Sequence, residues 1–560
     1  MLRVHFTAGD GAGWALDEDL RQIRQSLKGR IVESGPWAAD VIHAAFWQNL
    51  SMVSDAGLRD AYVVAHADNP PFFYVRQPEF GRGQRQVDLW IARSREALGQ
   101  FRQLGLPVEH IPYTIDPGLF FPIPDRAALR EEFGLPRDAY VIANFHRDTE
   151  GADLRSPKVQ KAPELLVAIL RRLKTAGCPI HVLLAGPRRH WIRGALEQAG
   201  VPFTFVGRPG IAGDDFRENI LDRKTLNRLY NAADLFVVPS RWEGGPQAVM
   251  EAAAARCKIL STRLGVARDI LEPESLFAEA GEAFERIRQD IERNVLTRTL
   301  EIQHDRFKAE HTTARLESGL RSLYDRLEAD VPPRAPGVSK RARGFLREAA
   351  HTFHRRTTRS ARPKEVGWSH RSGHDSELDD IMEMVARALT TLGIRRVEPA
   401  PGRALIIGYG PVAVGAPVFQ FCGPGGLSGE VRSPGLILVP SVQDLLNLRE
   451  NGVSAPALVF PYAVRAESAA SGEPFLVKAG DRSASLRVWE ALGSGRPVVY
   501  PANSAYYEQV FHAGVAYVDD PAQAIALAAA NSRELRALSK VPDEAALAGF
   551  LLKVLAIYHG

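Results

Sequence analysis

Cysteine is nearly absent: three in 560 residues, Cys178, Cys257 and Cys422, far apart and without a CxxC pair. This excludes a disulfide framework and a thiolate zinc site, and it predicts a reducing compartment. Long apolar runs are missing too. No stretch reaches the roughly 18 apolar residues of a membrane span, and the opening MLRVHFTAGDGAGW has no signal-peptide core. A cytoplasmic protein is expected. Excess charge is also small. A formal net charge of +4 is too little for a general nucleic-acid binder, which needs a concentrated surplus of Lys and Arg.

The length exceeds what one core supports and predicts about three domains of roughly 150 to 200 residues. Short β-rich runs alternate with helical patterns: LRVHF then DEDLRQIRQSL, VDLWIA then SREALGQFRQLG, YVIANF then APELLVAILRRLKTAG. Such alternation predicts α/β layers with parallel sheets. DLFVVPS at 234–240 reads as a further buried strand, because its centre is apolar without alternation. The expected first domain covers 1–125. A second, 138–328, follows a proline-rich charged connection, and TARLESGLRSLYDRLEAD closes it.

Residues 331–365 read as a linker. Between Arg334 and Lys364, ten Lys/Arg face one acid, Glu348. The segment is either a solvated connector or a basic strip touching anionic lipid or an acidic partner, which would make the protein peripheral at the inner membrane face. A third domain is expected over 370–560, and it repeats part of the first half. LWIARSREALGQFRQLGLPVEHIPYTI, from 89, lines up with LILVPSVQDLLNLRENGVSAPALVFPYAV, from 436. Ser94 falls on Ser441, Arg102 on Arg449, Gly105 on Gly452 and, after two inserted residues, Tyr113 on Tyr462. VMEAAAARCKILST similarly matches VWEALGSGRPVVYP, placing Glu251 on Glu490.

The stretch SRWEGGPQAVMEAAAARCKIL, 240–260, carries chemistry. A helix starting near Gly244 has unpaired N–H groups and a positive dipole end, which suits an anion, and glycines leave that backbone open. Glu243 precedes the helix. Glu251 lies two turns on and can accept hydrogen bonds from vicinal hydroxyls. The competing reading is an acidic N-cap followed by a buried helix glutamate, and spacing alone does not choose between them.

With its flanks, DRKTLNRLYNAADLFVVPSRWEGGPQAVMEAAAARCKILSTRLG resembles the donor-binding stretch of the family 4 retaining glycosyltransferases, which have the GT-B fold. WIARSREALGQFRQLGLPVEHIPYTIDPGLFFP is similar to the segment that ends the family's N-terminal domain. The resemblance covers most of 1–328. It implies two Rossmann-like domains facing a cleft, to which this chain adds a third Rossmann-like α/β domain. It also implies a hexosyl- or other glycosyltransferase moving sugar from a nucleotide-sugar to a hydroxyl of a glycan or lipid-linked acceptor. Retention by same-face attack, no cofactor and no essential metal are further implications.

Carried over residue by residue, Glu243 would contact the donor sugar together with the N–H groups of Gly244 and Gly245. Glu251 would bind the ribose hydroxyls, and Arg147 and Lys161 the diphosphate. Fourteen positions separate these two cations, with DTEGADLRSPKVQ between them, so Lys158 competes with Lys161 and Arg155 stays open. Gly11 and Gly13 resemble the glycine turn that closes over donor phosphates; a plain strand-to-helix turn is the alternative. Asp17-Glu18-Asp19 reads as acidic first-turn charge rather than a metal motif. His66 matches the family's functional histidine and would contact donor sugar or phosphate, with Asp68 nearby; His43 is the weaker candidate.

Departures from the pattern also inform. Gly265-Val266 stands where the family often has a glycine pair near donor phosphate. In the third domain Arg482, not glutamate, lies eight positions before Glu490. Only 19 residues separate Tyr462 from Arg482, against 129 between Tyr113 and Glu243, so this domain reads as shortened and non-catalytic. GYGPVA at 408–413 is a weak dinucleotide match. The alternative to an enzyme is a non-catalytic nucleotide-sugar or glycan binder on the same fold.

Overall fold

The computed structural model describes residues 1–9, 15–54, 57–58, 61–150, 153–211, 213–245 and 247–331, and separate elements between 365 and 553. Gly11, Gly13, the basic segment 334–364, the motif residues 409–413, Tyr462, Arg482 and Glu490 lie outside the described residues.

The first sheet contains β1 (Leu2–Phe6), β2 (Ile31–Glu33), β3 (Val41–Ala44), β4 (Tyr62–Ala67), β5 (Leu89–Ala92) and β6 (Val108–His110). All pairings are parallel, in the order β2-β1-β3-β4-β5-β6. β3 and β5 are buried along their whole length, as expected of apolar strands covered on both faces. Helices α1 (Ala15–Ser26), α2 (Pro78–Gln86) and α3 (Arg95–Gln103) belong to this domain. Ser94 starts α3 by accepting a hydrogen bond from the Ala97 N–H.

The second domain contains β7 (Tyr140–Asn144), the antiparallel pair β8 (Thr149–Glu150) and β9 (Asp153–Pro157), then β10 (Ile180–Ala185), β11 (Phe203–Val206), β12 (Leu235–Val238), β13 (Lys258–Thr262) and β14 (Leu276–Phe277). Leaving the hairpin aside, the sheet order is β11-β10-β7-β12-β13-β14. The order therefore reverses between β7 and β12. Around this sheet lie α4 (Pro163–Thr175), α5 (His190–Gln198), α6 (Arg223–Ala232), α7 (Gln247–Ala254) and α8 (Gly265–Ile270).

Helix α9 (Thr313–Asp330), which by chain order closes the second domain, returns to the first. Its Leu316, Leu320, Leu323, Tyr324 and Leu327 form one apolar stripe and share a core with Leu2, Val4, Phe6, Leu20 and Ile23. The chain thus passes between the domains twice, at 113–115 and 311–313. The two crossings are tied together: Ile115 N–H donates to the His311 carbonyl at 2.8 Å, and His311 Nδ1 to the Tyr113 carbonyl at 2.8 Å.

The third region is described in separate elements. Among the described residues it comprises two sheets, and their first strand, β15 (Glu365–Ser369), begins at the end of the expected linker. With β16 (Arg395–Val397), β17 (Ile406–Gly408), β18 (Val418–Phe421), β19 (Leu436–Val439), α10 (Val442–Glu450) and β20 (Ala457–Val459) it forms a parallel sheet ordered β16-β15-β17-β18-β19-β20. That is the strand order of the first sheet repeated. A smaller parallel sheet, β21 (Phe475–Leu476), β22 (Val498–Pro501) and β23 (Val515–Val518), follows. Its strands repeat β12-β13-β14 at one constant offset: Phe475 stands to Phe236 as Val498 to Ile259 and Val515 to Leu276.

Candidate active site

In an open parallel sheet, ligands bind outside the carboxyl ends of the strands where their order reverses. Here that crevice lies between the ends of β7 and β12. β7 runs out into Phe145-His146-Arg147-Asp148, and β12 into Pro239-Ser240-Arg241-Trp242-Glu243.

The structure brings Glu243 and Lys161 together. Glu243 is 7% exposed, and its Oε1 accepts from the Ser240 hydroxyl at 2.9 Å and from Lys161 Nζ. Lys161 reaches it from a 3-10 turn, Val159–Lys161, strapped to the strand end. Arg241 N–H donates to the Gln160 carbonyl and Arg241 Nη1 to the Val159 carbonyl, each at 2.8 Å. The turn ends at Ala162, held at a φ of 45°, an unfavourable value for a residue with a side chain, before Pro163 starts α4. Lys158 stands one turn earlier, half-buried, its N–H on the Asp148 carbonyl. Arg147 is half-buried at the end of β7, and Arg155 is exposed on β9.

Gly244 and Gly245 are where the first domain touches the second. A Cβ on Gly244 would lie 1.0 Å from the Asp68 carbonyl oxygen, and one on Gly245 2.0 Å from the Tyr113 ring. Side chains are excluded here by close approach of the opposite domain. Tyr113 in turn donates to Asp68 Oδ1 at 2.6 Å, and Phe73 packs on Trp242 with centroids 5.3 Å apart. Gly265, at a φ of 44°, lies against the Glu243 and Gly244 carbonyls, and its N–H donates to the Glu96 carboxylate at the start of α3. In this structure the Gly265 amide therefore meets an anion from the first domain.

Glu251 is buried on α7 with both oxygens engaged, Oε1 by Arg223 Nη1 at 2.8 Å and Oε2 by the Tyr230 hydroxyl at 2.9 Å. Burial pushes its carboxyl up, and Arg223 opposes that shift. Both partners lie on α6, two turns apart, so the polar helix before β12 carried the signal for them. The extra residues between Arg147 and Lys158 form the β8–β9 hairpin, and its base is a second polar cluster. Asp148 Oδ2 caps α5 by accepting from the Ile192 N–H at 2.7 Å, and buried Arg189 donates to Asn144 Oδ1 at 2.8 Å. Burial raises the Asp148 carboxyl to about 6 against the opposing charge of Arg189, and lowers Arg189 to about 10.

In the first domain His66 is fully buried, with both ring nitrogens turned inward. Arg93 Nη1 lies 3.2 Å from His66 Nδ1, His66 Nε2 2.8 Å from His43 Nε2, and His43 Nδ1 2.7 Å from the Tyr324 hydroxyl. A guanidinium only donates, so the direction of the whole chain is determined. His66 accepts at Nδ1 and donates from Nε2, and His43 accepts at Nε2 and donates from Nδ1 to Tyr324. Both imidazoles are neutral: burial, reinforced by the charge of Arg93, depresses His43 to about 3 and His66 well below its ordinary value. The pair links two strand ends to α9, and His66 engages both of its ring nitrogens in these contacts.

Arg93 is the hub, and the sequence reading missed it. Fully buried, it pairs with Asp19 and lies 4.3 Å over the centroid of the Tyr113 ring. Asp19 is accordingly a buried ion-pair partner rather than first-turn charge, whereas Asp17 and Glu18 occupy that first turn. A charged residue directly after the all-apolar LWIA was the available clue. Among the described residues no group of three or more His, Cys, Asp or Glu is arranged to hold a metal ion, and no helix is long and apolar enough to cross a membrane.

Known proteins are similar to parts of this chain. The D-inositol 3-phosphate glycosyltransferase of Segniliparus rotundus is 24% identical over 247 residues, covering 41% of this chain and 52% of that protein. The chain thus spans about half the length of that curated relative. Two solved structures are similar over their whole length. HepE of Anabaena, in complex with UDP-glucose, has 15% identity, a TM-score of 0.48 and 58% of this chain covered. The sucrose-phosphate synthase of Thermosynechococcus elongatus has 16% identity, a TM-score of 0.48 and 59% of this chain covered. Two Rossmann-like domains, each built on a parallel sheet with helices around it, face each other across the contact at Gly244 and Gly245. Residues 153–293, which contain Lys158, Lys161, Glu243 and Glu251, match the family model described as glycosyl transferases group 1.

Proposed function

We propose that this protein transfers a sugar from a nucleotide-sugar to a hydroxyl acceptor, a glycan or lipid-linked glycan, with retention of configuration. One observation carries the reading: Glu243, Lys161 and Ser240 converge at the reversal between β7 and β12, inside the segment similar to group 1 glycosyl transferases. Lys161 has three donors, so it can hold Glu243 and still meet a diphosphate oxygen. Arg147 adds charge from the end of β7. Together these cations stabilise the negative charge that develops on the departing nucleoside diphosphate. Glu243 accepts from hydroxyls of the donor sugar. The bond from the anomeric carbon to the diphosphate breaks, the bond to the acceptor oxygen forms on the same face, and the acceptor proton passes to the departing phosphate.

The asymmetric set of cations and one buried carboxylate favours this over a binding role. It leaves the base, sugar and linkage open to measurement. We also propose a cytoplasmic location, with contact to anionic lipid through 334–364, and turnover that needs no metal. The deciding experiment offers UDP-, GDP-, ADP- and dTDP-sugars and records thermal shift and nucleoside diphosphate release, with and without chelator. Release with at least one donor that also raises the melting temperature is expected. A donor that binds but is neither hydrolysed nor transferred across an acceptor panel would falsify the enzymatic reading in favour of a binding protein.

A further inference from the structure

The third region repeats the first domain strand for strand, and the two copies meet. Helix α2 of the first domain packs on β20, the edge strand of the repeated sheet. An edge strand presents N–H and C=O groups with no neighbouring strand to take them. Here one side chain takes both groups of Ala457. Gln84 Nε2 donates to the Ala457 carbonyl at 2.9 Å, and Gln84 Oε1 accepts from the Ala457 N–H at 3.3 Å. An amide side chain presents the same donor and acceptor pair as a peptide group, so Gln84 substitutes for a missing strand.

The apolar packing is continuous across the contact. Leu445 and Leu448 of α10 and Leu458 of β20 share one core with Phe80 of α2 and Phe101 of α3. Arg449 lies beside Gly105, its Cδ 4.0 Å from where a Cβ would be, and its Nη2 is 3.5 Å from Gln84 Oε1. Gly105 and Arg449 belong to the two aligned repeats, so matching ends of the duplicated unit touch each other. The repeat is nevertheless incomplete. Between β20 and β21 the chain has no room for counterparts of β7, β10 and β11, and the smaller sheet matches only β12, β13 and β14.

We propose that the third region is a built-in partner: its described strands copy the two-domain scaffold without counterparts of β7, β10 and β11, and its repeated sheet is bound to the first domain through α2 and the outer edge of β20. The contact reaches toward the active site, since α2 directly follows the loop that runs from Asp68, at Gly244, through Phe73, at Trp242. The copy thereby braces the first-domain side of the crevice. This inference does not depend on the reaction proposed above.

The test uses the full chain with a specific protease site inserted within 334–362. After cutting, the halves are run on size exclusion and their dissociation constant is measured by fluorescence anisotropy after labelling one half. Co-elution at the size of the intact chain is expected; separation at micromolar concentration overturns the proposal. Gln84→Ala is expected to weaken association about fivefold, as loss of hydrogen bonds worth about 1 kcal/mol does. Gln84→Glu keeps the acceptor for the Ala457 N–H and faces Arg449 but cannot donate to the Ala457 carbonyl, so a smaller loss than that of Gln84→Ala is expected. Both variants are first matched to wild type by circular dichroism and melting of the uncut chain. Halves that stay together with unchanged affinity in both variants overturn the assigned contact.

Discussion

The chain contains one strand triplet twice, β12-β13-β14 and β21-β22-β23, and among the described residues only the first borders a crevice with convergent charge. The comparison shows where the chemistry comes from. Within the first triplet, β12 delivers Glu243 and Ser240. Lys161, Arg147 and Asp148 come from beyond β7, and the described strands of the repeat include no counterpart of β7. A strand triplet with its helix is therefore a scaffold. The charge pattern needs the other half of the sheet, because the reversal in strand order exists only when β7 is present.

Several substitutions break or sharpen this contrast. Arg93→Met has the largest expected effect, because it strands Asp19 as an unpaired buried charge. A loss of about 3–5 kcal/mol in chemical denaturation is expected, with recovery in the double variant Arg93→Met/Asp19→Leu. Equal stability of the single variant and wild type would show that the hub is dispensable. Next, Glu243→Arg installs the residue that the third region has eight positions before Glu490. It should lower kcat by roughly 100- to 1,000-fold, while Arg482→Glu in the repeat leaves turnover unchanged. Steady-state nucleoside diphosphate release measures both, and activity gained by Arg482→Glu would remove the distinction between the copies.

Lys161→Met should lower kcat/KM by about a hundredfold, the low end for one electrostatic donor. Lys158→Met is expected to stay near wild type, and a reversed order would reassign the phosphate ligand. Glu251→Ala should weaken nucleotide binding about tenfold, near 1.4 kcal/mol, read by calorimetry. A further effect concerns pH. Asp148 is raised from 3.8 to about 6, so the folded state keeps its proton longer than the unfolded chain. Its contribution is full below about pH 4 and is lost as pH rises through about 6. Asp148→Asn should therefore flatten the stability profile across that window while keeping a carbonyl oxygen to cap α5.

The hydrogen-bond wire through His66 and His43 shows the limit of reading by position. AYVVAH signals a strand-end histidine, and that is where His66 lies. Its partners are Arg93, 27 positions later, and His43, 23 positions earlier, and neither distance has a local periodicity. Glu251 is similar. Its helix and burial were readable, whereas Arg223 and Tyr230 are brought to it only by packing of α6 against α7. Lys161 was readable as one of two lysines. The 3-10 turn and its tie to Arg241 bring its ammonium to Glu243.

The amino-acid sequence by itself determined the strands, since short apolar runs bounded by turns can satisfy their backbone only in a covered parallel sheet. It determined the duplicated unit and its missing segment, which are properties of order and length. It also determined that Glu243 and Glu251 flank a helix start. Tertiary structure decided the rest. The glycines after Glu243 prove to be a seat for Asp68 and Tyr113, α9 returns to the first domain, and the repeated sheet docks its edge on Gln84. Each of these depends on which surfaces meet across long separations, and close approach, burial and edge pairing act between surfaces rather than along the chain.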